Sequence, residues 1–365
     1  MTGVSSMRVA RALVPLAFAA RLLGAQATPA VDSVPAIDSL RMLHMVAVLS
    51  ADSMEGRKAG TRGGERARNV LLGEFARIGL QPLARGYAAP FNARSLFKEA
   101  NPFTPPCQPR TSQGRSTTCQ PPKPFYPTVR GVNLLGVVRG TVHPDRYIVV
   151  SAHYDHLGFS LGEVFPGADD NASGTAAILA IAEWTVAHPP RNSFIFALFD
   201  GEESGLLGSA EFLRAPPVPV KSIAANVNVD MVGQGINDEL WASGARLTPA
   251  LVPMLDSVRG LGPVRMLLGH DVEGSRDDFT HRSDSGPFRD RGIAIVQFGT
   301  EEGPDYHRPT DTVTRIHPAF YSASVRTIAA FIQRLDRELD VAVPERRGGN
   351  ERSLLALARI CHADF

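Results

Sequence analysis

The sequence predicts an α/β fold, a three-layer α/β/α sandwich in which helices cover both faces of a mostly parallel, mixed central sheet. Apolar, β-branched runs alternate along the chain with segments of helical periodicity, and this alternation is typical of such a sheet. Polar residues follow several of the apolar runs, where ligand sites lie in open α/β sheets. The 365 residues, 44% hydrophobic and 21% charged, are enough to bury a large core.

Each element is predicted from a local pattern. In the second helix Ala67, Leu71 and Phe75 recur at helical spacing, and Gly79 stands where a C-cap glycine belongs. In the last helix Pro318 occupies the first turn and apolar residues follow on one face. The predicted helices are 37–49, 67–78, 173–187, 206–213, 247–259 and 318–335. The predicted strands are 132–139, 147–152, 194–199, 223–229, 264–268 and 293–298.

The N-terminus has the order of a secretory signal peptide. Arg8 and Arg11 precede an apolar stretch at 12–20, and the small residues Ala25 and Ala27 follow. We therefore predict a signal peptide at 1–27 and a secreted or periplasmic protein, with a disordered start or a short membrane anchor as the alternatives. No later stretch reaches the roughly 18 apolar residues of a membrane span, so no stable membrane insertion is expected after cleavage.

The remainder is predicted to be one domain, 28–340, followed by a C-terminal tail, 341–365. Prolines and polar residues break every periodicity at 88–130, which we interpret as an insertion too poor in apolar residues for a core of its own. In an exported protein its Cys107 and Cys119 are expected to close a short disulfide loop and leave Cys361 free. The net charge of +1 and the lack of a recognisable motif give no indication of a nucleic-acid partner.

Five groups of polar residues lie at predicted strand ends or in the loops that follow. They are His153 with Asp155, Asp169 with Asp170, Glu202 with Glu203, Asp230, and His307. Two imidazoles and several carboxylates match the ligands of zinc, and a shared carboxylate can hold two ions about 3.5 to 4 Å apart. The pattern predicts a two-metal site in which one glutamate of the adjacent pair binds metal and the other exchanges protons. Asp155 is suited to accept the second N–H of His153.

The other histidines are interpreted as structural or surface residues. They are His44, His143, His156, His188, His270, His281, His317 and His362. For Glu55 and Arg57, a solvated pair and a role near the site are about equally consistent with the sequence.

Six segments of the chain carry a family resemblance: EGRKAGTRGGE, HYDHLG, GADDNASG, DGEESGLLGS, NVDM and YHRPTDT. They resemble the N-terminal signature and the metal-binding motifs of the co-catalytic di-zinc exopeptidases, typified by the secreted bacterial leucyl aminopeptidases and related to glutamate carboxypeptidase II. The resemblance covers roughly residues 37–335. It implies the zinc exopeptidase fold, two Zn²⁺ ions per chain and peptide substrates.

The resemblance also implies a role for each site residue. His153 and Asp230 would bind one zinc ion, Glu203 and His307 would bind the other, and Asp170 would bridge the two with Asp169 in support. Glu202 would be the general base and acid, and Asp155 would support His153. In this family the peptide bond after the bridging aspartate is often cis, so a cis bond is expected between Asp170 and Asn171.

Two departures from the family affect the substrate pocket. Many members have Ser-Asp-His where this chain has Ser283, Asp284 and Ser285, and His281 is a candidate replacement for the missing histidine. The cysteine-bearing insertion at 88–130 has no recognisable counterpart.

An aminopeptidase is the leading interpretation, because acidic groups near the metals favour a substrate ammonium group. A carboxypeptidase or another amidohydrolase would share the metal residues, and Arg276, Arg282 and Arg308 are candidates for binding a substrate carboxylate. A glutaminyl cyclase typically works with a single zinc ion, so the presence of both His153 and Asp230 argues against it. A metal-free binding protein on this scaffold, such as the transferrin receptor, should have lost ligands, and none is lost here.

Overall fold

The structure, a computed structural model, describes residues 35–83, 86–97, 125–160, 162–275 and 277–342. Within these residues nine strands form one sheet and two more form a hairpin. The strands are β1 (Gln81–Pro82), β2 (Ala88–Arg94), β3 (Thr128–Val138), β4 (His143–His153), β5 (Gly158–Ser160), β6 (Glu163–Phe165), β7 (Asn192–Phe199), β8 (Ile223–Val229), β9 (Glu239–Ser243), β10 (Arg265–Leu268) and β11 (Ala294–Gly299). The α-helices are α1 (Ser39–Leu49), α2 (Arg62–Ile78), α3 (Gly174–Ala187), α4 (Leu207–Arg214), α5 (Val252–Val258), α6 (Ser285–Asp290) and α7 (Pro318–Ala342).

The sheet is mixed and has a parallel centre. Its strands follow the order β1, β3, β7, β4, β8, β11, β9, β10, and β2 also pairs with β3. The four neighbours β7, β4, β8 and β11 are parallel. On either side of them, β3 is antiparallel to β7 and β9 is antiparallel to β11. Because parallel neighbours end at the same edge of a sheet, the residues that follow these four strands meet there.

Successive side chains of the central strands pack into two separate cores. Ile148 and Val150 of β4 belong to the larger core, which includes residues of α1, α2, α3, α5 and α7. Val149 belongs to the smaller core with Phe212 of α4 and Phe288 of α6. Since alternate side chains of a strand point to opposite faces, helices cover both faces of the sheet. This arrangement confirms the predicted three-layer α/β/α sandwich.

The predicted insertion at 88–130 is too wide. Its first residues form β2 and its last residues begin β3, and the two strands pair from Ala88 opposite Leu134 to Arg94 opposite Thr128. Alternate residues of β2 face inward, but only Phe91 is buried and the other two, Ala89 and Ala93, are small, so the apolar period is weak in the sequence. Pro90 fits this strand because β2 lies at the edge of the described sheet, where proline is tolerated.

Two further differences concern the second half of the chain. Strand β9 was not predicted, because five residues between polar turns are too few to show a period. The predicted helix at 247–259 is instead a 3₁₀ turn, Pro249–Leu251, followed by the short α5. Pro253 lies in the first turn of α5, the position that proline favours, and so sets where the α-helix starts. Gly79 closes α2 in the left-handed conformation with φ of 85°, as predicted.

The predicted signal peptide, 1–27, lies outside the described residues, as do Cys107, Cys119 and Cys361. The C-terminal tail, predicted for 341–365, is described only as far as residue 342, which is still in α7. Across the described ranges, no helix has both the length and the apolarity that crossing a membrane requires.

The end of β7 that is remote from the site is held by Asp336 of α7. This buried carboxylate accepts hydrogen bonds of 2.8 Å from the main-chain N–H groups of Arg191 and Asn192 and another from the Asn192 side chain. We expect Asp336→Ala to lower the free energy of unfolding by about 2 to 4 kcal/mol, because buried donors lose their acceptor. Urea denaturation followed by circular dichroism measures this.

The matched control is Asp340→Ala, one helical turn further along α7. Asp340 pairs with Arg146 at the surface, and such an exposed pair contributes about 0 to 1 kcal/mol. Equal losses of stability for the two variants would contradict the role given to Asp336.

Candidate metal centre

Four adjacent parallel strands bring the predicted site residues to one edge of the sheet. Strand β4 ends at His153, β7 is followed by Glu202, β8 by Asp230 and, after a longer loop, β11 by His307. Asp170 belongs to the turn that leads into α3. Among the described residues, the clustered groups of donors that can hold a metal ion are two: His153 with Glu202 and Asp230, and His156 with Asp170 and Glu203.

The carboxylate of Asp170 lies between two imidazoles. Its Oδ1 is 3.3 Å from His153 Nε2, and its Oδ2 is 3.1 Å from His307 Nε2. His153 Nε2 is also 3.3 Å from Asp230 Oδ1, and His307 Nε2 is also 3.2 Å from Glu203 Oε2. Each imidazole nitrogen therefore faces two carboxylate oxygens at nearly equal distances.

A hydrogen bond alone does not account for this arrangement, because one ring nitrogen carries at most one proton. A metal ion at the centre of each group would bind all three donors at once. Zinc binds nitrogen and oxygen ligands at about 2.0 to 2.2 Å in a tetrahedron, so neighbouring ligands lie about 3.3 to 3.6 Å from each other. The spacings of 3.1 to 3.3 Å come close to this value. The donor set thus fits zinc in type and spacing.

Neighbouring imidazoles keep two of the acids ionised despite their burial. Burial raises the pKa of Asp170, but the imidazoles of His156, His153 and His307 outweigh it and hold that pKa well below the usual range. Burial and the charge of Asp170 also raise the pKa of Glu203, yet His156 and His307 lower it to about 2. Both side chains are therefore carboxylates at neutral pH, as metal binding requires.

Glu202 is displaced in the opposite direction. Burial raises its pKa well above the usual range, and the charges of Glu203, Asp230 and Asp284 add to this effect against that of His153. Adjacent acids with pKa values pushed apart are typical of sites where one acid stays ionised and the other exchanges protons.

Asp155 contacts its neighbours differently from the prediction. His153 Nδ1 is 3.2 Å from the main-chain oxygen of Asp155 but 3.8 Å from its carboxylate Oδ1. That Oδ1 accepts a hydrogen bond of 3.1 Å from the main-chain N–H of Glu202. The imidazole is thus oriented by a carbonyl, as second ring nitrogens often are. The carboxylate of Asp155 instead fixes the loop that carries Glu202.

Asp311, which was not predicted, holds the turn that carries Asp170. Its carboxylate accepts hydrogen bonds of 2.9 and 3.1 Å from the main-chain N–H of Asp169 and one of 3.1 Å from that of Asp170. Asp169 in turn accepts from the main-chain N–H of Gly233 at 2.7 Å. Burial, and then the charge of Asp311, raise the pKa of Asp169 to about 8. The peptide bond between Asp170 and Asn171 is cis, as predicted.

Arg57 is completely buried next to the site, so the interpretation as a solvated pair is wrong for it. Glu55 pairs instead with Arg66 at the surface. Burial lowers the pKa of Arg57 to about 10, and the nearby carboxylate of Asp170 opposes this, so the guanidinium remains charged at neutral pH. The guanidinium donates to five main-chain carbonyls, those of Leu49, Tyr154, Pro166, Gly167 and Asp170.

His156 also belongs to the site, which corrects its interpretation as a structural histidine. The side chain is fully buried, and its Nδ1 lies 2.6 Å from Glu203 Oε1 and 3.7 Å from Asp170 Oδ2. The one available signal in the sequence was its position three residues after His153 in the same polar segment.

A pocket opens beside the donors. Its outer part is lined by Met231, Phe279, Arg282, Gln297, Thr300 and Glu302. Ser285, at the position of the family's histidine, donates a hydrogen bond to Gln297, while His281 lies 3.7 Å from Asp290. Of the three candidate arginines, Arg282 lines the pocket with its guanidinium paired to Glu302. Arg276 lies outside the described residues, and Arg308 is not part of the described pocket wall.

The fold and the site define an α/β protein with a candidate metal centre at the carboxyl edge of a parallel sheet. The sequence profile of peptidase family M28 matches residues 133–332, more than half of the 365 residues. The chain therefore belongs to peptidase family M28.

Two curated relatives have similar sequences. A probable zinc metalloprotease of Pyrenophora tritici-repentis is 35% identical over 212 residues, which cover 50% of this chain and 48% of the relative. Aminopeptidase YwaD of Bacillus subtilis is 30% identical over 207 residues, which cover 50% of this chain and 40% of the relative. The chain thus spans less than half the length of these relatives.

Among solved structures, BSAP, a zinc aminopeptidase from Bacillus subtilis, is similar with a TM-score of 0.61 and 16% identity. The match covers 81% of this chain and 95% of BSAP. At this identity the likeness concerns the fold, and it confirms the predicted zinc exopeptidase fold.

We expect zinc to stabilise the folded protein, because the donor cluster exists only when the chain is folded and zinc therefore binds the folded state in preference to the unfolded one. An ion at a concentration 100 times its Kd adds about 2.7 kcal/mol per site, and each kcal/mol raises Tm by roughly 1 to 2 °C in a protein of this size. Differential scanning calorimetry of chelator-treated protein, with and without added zinc, measures the shift.

Asp170→Asn should remove most of the rise in Tm, since it replaces the carboxylate shared by both groups with a neutral amide, which binds zinc more weakly. The exposed Asp145→Asn is the matched control and should keep the full rise. An unchanged Tm on adding zinc to the wild-type protein would contradict the assignment of a metal centre.

Proposed function

We propose that this protein is a zinc-dependent exopeptidase, and specifically an aminopeptidase that removes N-terminal residues from peptides with two zinc ions bound. One observation carries the proposal: each of two imidazole nitrogens faces two carboxylate oxygens, and both groups share Asp170. His153, Asp230 and Asp170 would hold one ion, and Glu203, His307 and Asp170 the other. Membership of peptidase family M28 supports hydrolysis of a peptide bond as the reaction.

Zinc bound in these groups would polarise the scissile carbonyl and lower the pKa of an attacking water. The protein itself would contribute proton transfer, through the carboxylate of Glu202. Its carboxylate lies close to the donor atoms of His153 and Asp230, and its main-chain N–H is fixed by Asp155. Burial raises its pKa well above the usual range, which suits a group that accepts a proton from water and passes it to the leaving amine.

The charge of the pocket favours an N-terminal substrate group. Its lining includes the carboxylates of Asp170, Glu202, Asp230 and Glu302 but one arginine, Arg282. The guanidinium of Arg282 is already paired with Glu302. Zinc would neutralise Asp170 and Asp230, which leaves Glu202 and Glu302 to attract an ammonium group. A substrate carboxylate would have to compete with Glu302 for the guanidinium of Arg282. This contrast favours an aminopeptidase over a carboxypeptidase.

The proposed cellular location is outside the cytoplasm, either secreted or periplasmic. The support for it is the order of charged, apolar and small residues at 1–27.

The proposal is tested with purified protein on a panel of leucyl peptides that are unblocked, N-acetylated or C-terminally amidated. We expect cleavage of the unblocked and amidated peptides and none of the acetylated one. Cleavage that requires a free C-terminus would instead indicate a carboxypeptidase. A glutaminyl peptide completes the panel: cyclisation of its N-terminal glutamine, with no hydrolysis of the leucyl peptides, would indicate a glutaminyl cyclase.

The same assay tests the general base. Glu202→Gln should retain zinc but lower kcat by a factor of 10² to 10⁴ or more, the range that general acid–base catalysis contributes. Glu65→Gln, which changes an exposed glutamate on α2, is the matched control and should leave kcat unchanged. A Glu202→Gln variant with the wild-type kcat would show that another group transfers the proton.

A further inference from the structure

The family motifs assign no role to His156, although no histidine of the site is more deeply buried. The side chain is fully buried, and its Nδ1 forms the 2.6 Å contact with Glu203 Oε1. Its ring meets that of His307 edge-on, with 5.8 Å between ring centroids. A Cβ on Gly167 would lie 2.5 Å from an atom of this ring, so the backbone leaves space for the imidazole. Gly167 has φ of 56°, the left-handed region that favours glycine.

The two oxygens of Glu203 have different partners. Oε1 faces His156, whereas Oε2 lies 3.2 Å from His307 Nε2, on the side shared with Asp170. With the proton on Nδ1, His156 donates to Oε1 and removes that oxygen from competition for a cation. Its Nε2 has no hydrogen-bond partner in the part of the chain that the structure describes.

We propose that His156 is a positioning residue that makes Glu203 bind zinc through Oε2 alone. This inference rests on the proposed zinc content of the site. A carboxylate that binds through one oxygen leaves a coordination position open, which a hydrolytic centre needs for water and substrate. Hydrogen bonds to ligating carboxylates also orient them, and losing such a bond typically weakens metal affinity 10- to 100-fold.

The zinc ion held by Glu203, His307 and Asp170 is therefore the one that depends on His156. Asp230 and His153 Nε2 make their contacts without it, because the 3.3 Å spacing between them involves neither His156 nor Glu203. Loss of His156 should accordingly weaken one of the two zinc ions and spare the other.

The test measures zinc affinity directly by competition with a chromophoric chelator, using three substitutions at this position. His156→Phe keeps an aromatic ring but removes the donor, and His156→Leu removes both. In His156→Asn the side-chain amide can approach the position of Nδ1 and restore a donor. Circular dichroism and Tm identify any variant that fails to fold.

We expect the wild-type protein to bind two zinc ions. His156→Phe and His156→Leu should each weaken the affinity for one zinc ion 10- to 100-fold and leave the affinity for the other within about threefold. His156→Asn should lose less affinity for the first ion, because its amide restores a donor. The exposed His188→Phe is the matched control and should bind both ions as the wild type does.

A double-mutant cycle identifies which ion is affected. Adding His156→Phe to His307→Ala should cost little further affinity, since both changes act on one group. Adding it to Asp230→Ala should weaken both ions. Wild-type affinity for both ions in His156→Phe and His156→Leu would overturn the role of His156 while leaving the proposed function intact. A wild-type protein that binds no zinc would overturn both.

Discussion

The site is built around the position of one carboxylate. Asp170 directs Oδ1 to His153 and Oδ2 to His307, so a displacement of this side chain would disturb both donor groups together. Its main chain is held from two directions, by the carboxylate of Asp311 at its N–H and by the guanidinium of Arg57 at its carbonyl. The cost of burying so many acids is offset in part by these contacts and by the neighbouring imidazoles.

The topology of the sheet explains why residues far apart in the sequence converge on that carboxylate. The parallel neighbours β7, β4, β8 and β11 all end at one edge, and each is followed by at least one side chain of the site. The antiparallel flanking strands extend this sheet, and the helices pack on both of its faces. Arg57 adds a fixed positive charge from the turn before α2, which ties the N-terminal part of the domain to the site.

The sequence was sufficient for the fold class and for the strand-end residues, because apolar runs and the polar residues after them are local patterns. It was not sufficient for Arg57, Asp311 and His156, whose contacts with Gly167, Asp169 and Glu203 span 110, 142 and 47 residues. No local pattern encodes such contacts, and a buried arginine has the same letter as a solvated one. Strand β2 was missed for a different reason, since its inward residues other than Phe91 are alanines and give only a weak apolar period.

Asp170 is proposed to join two metal positions. The most direct measurement is an anomalous difference map at the zinc absorption edge from crystals of the zinc-loaded protein. We expect two peaks about 3.5 to 4 Å apart, one beside His153 and Asp230 and one beside Glu203 and His307, with Asp170 contacting both. A single peak, or two peaks of which one does not contact Asp170, would contradict it.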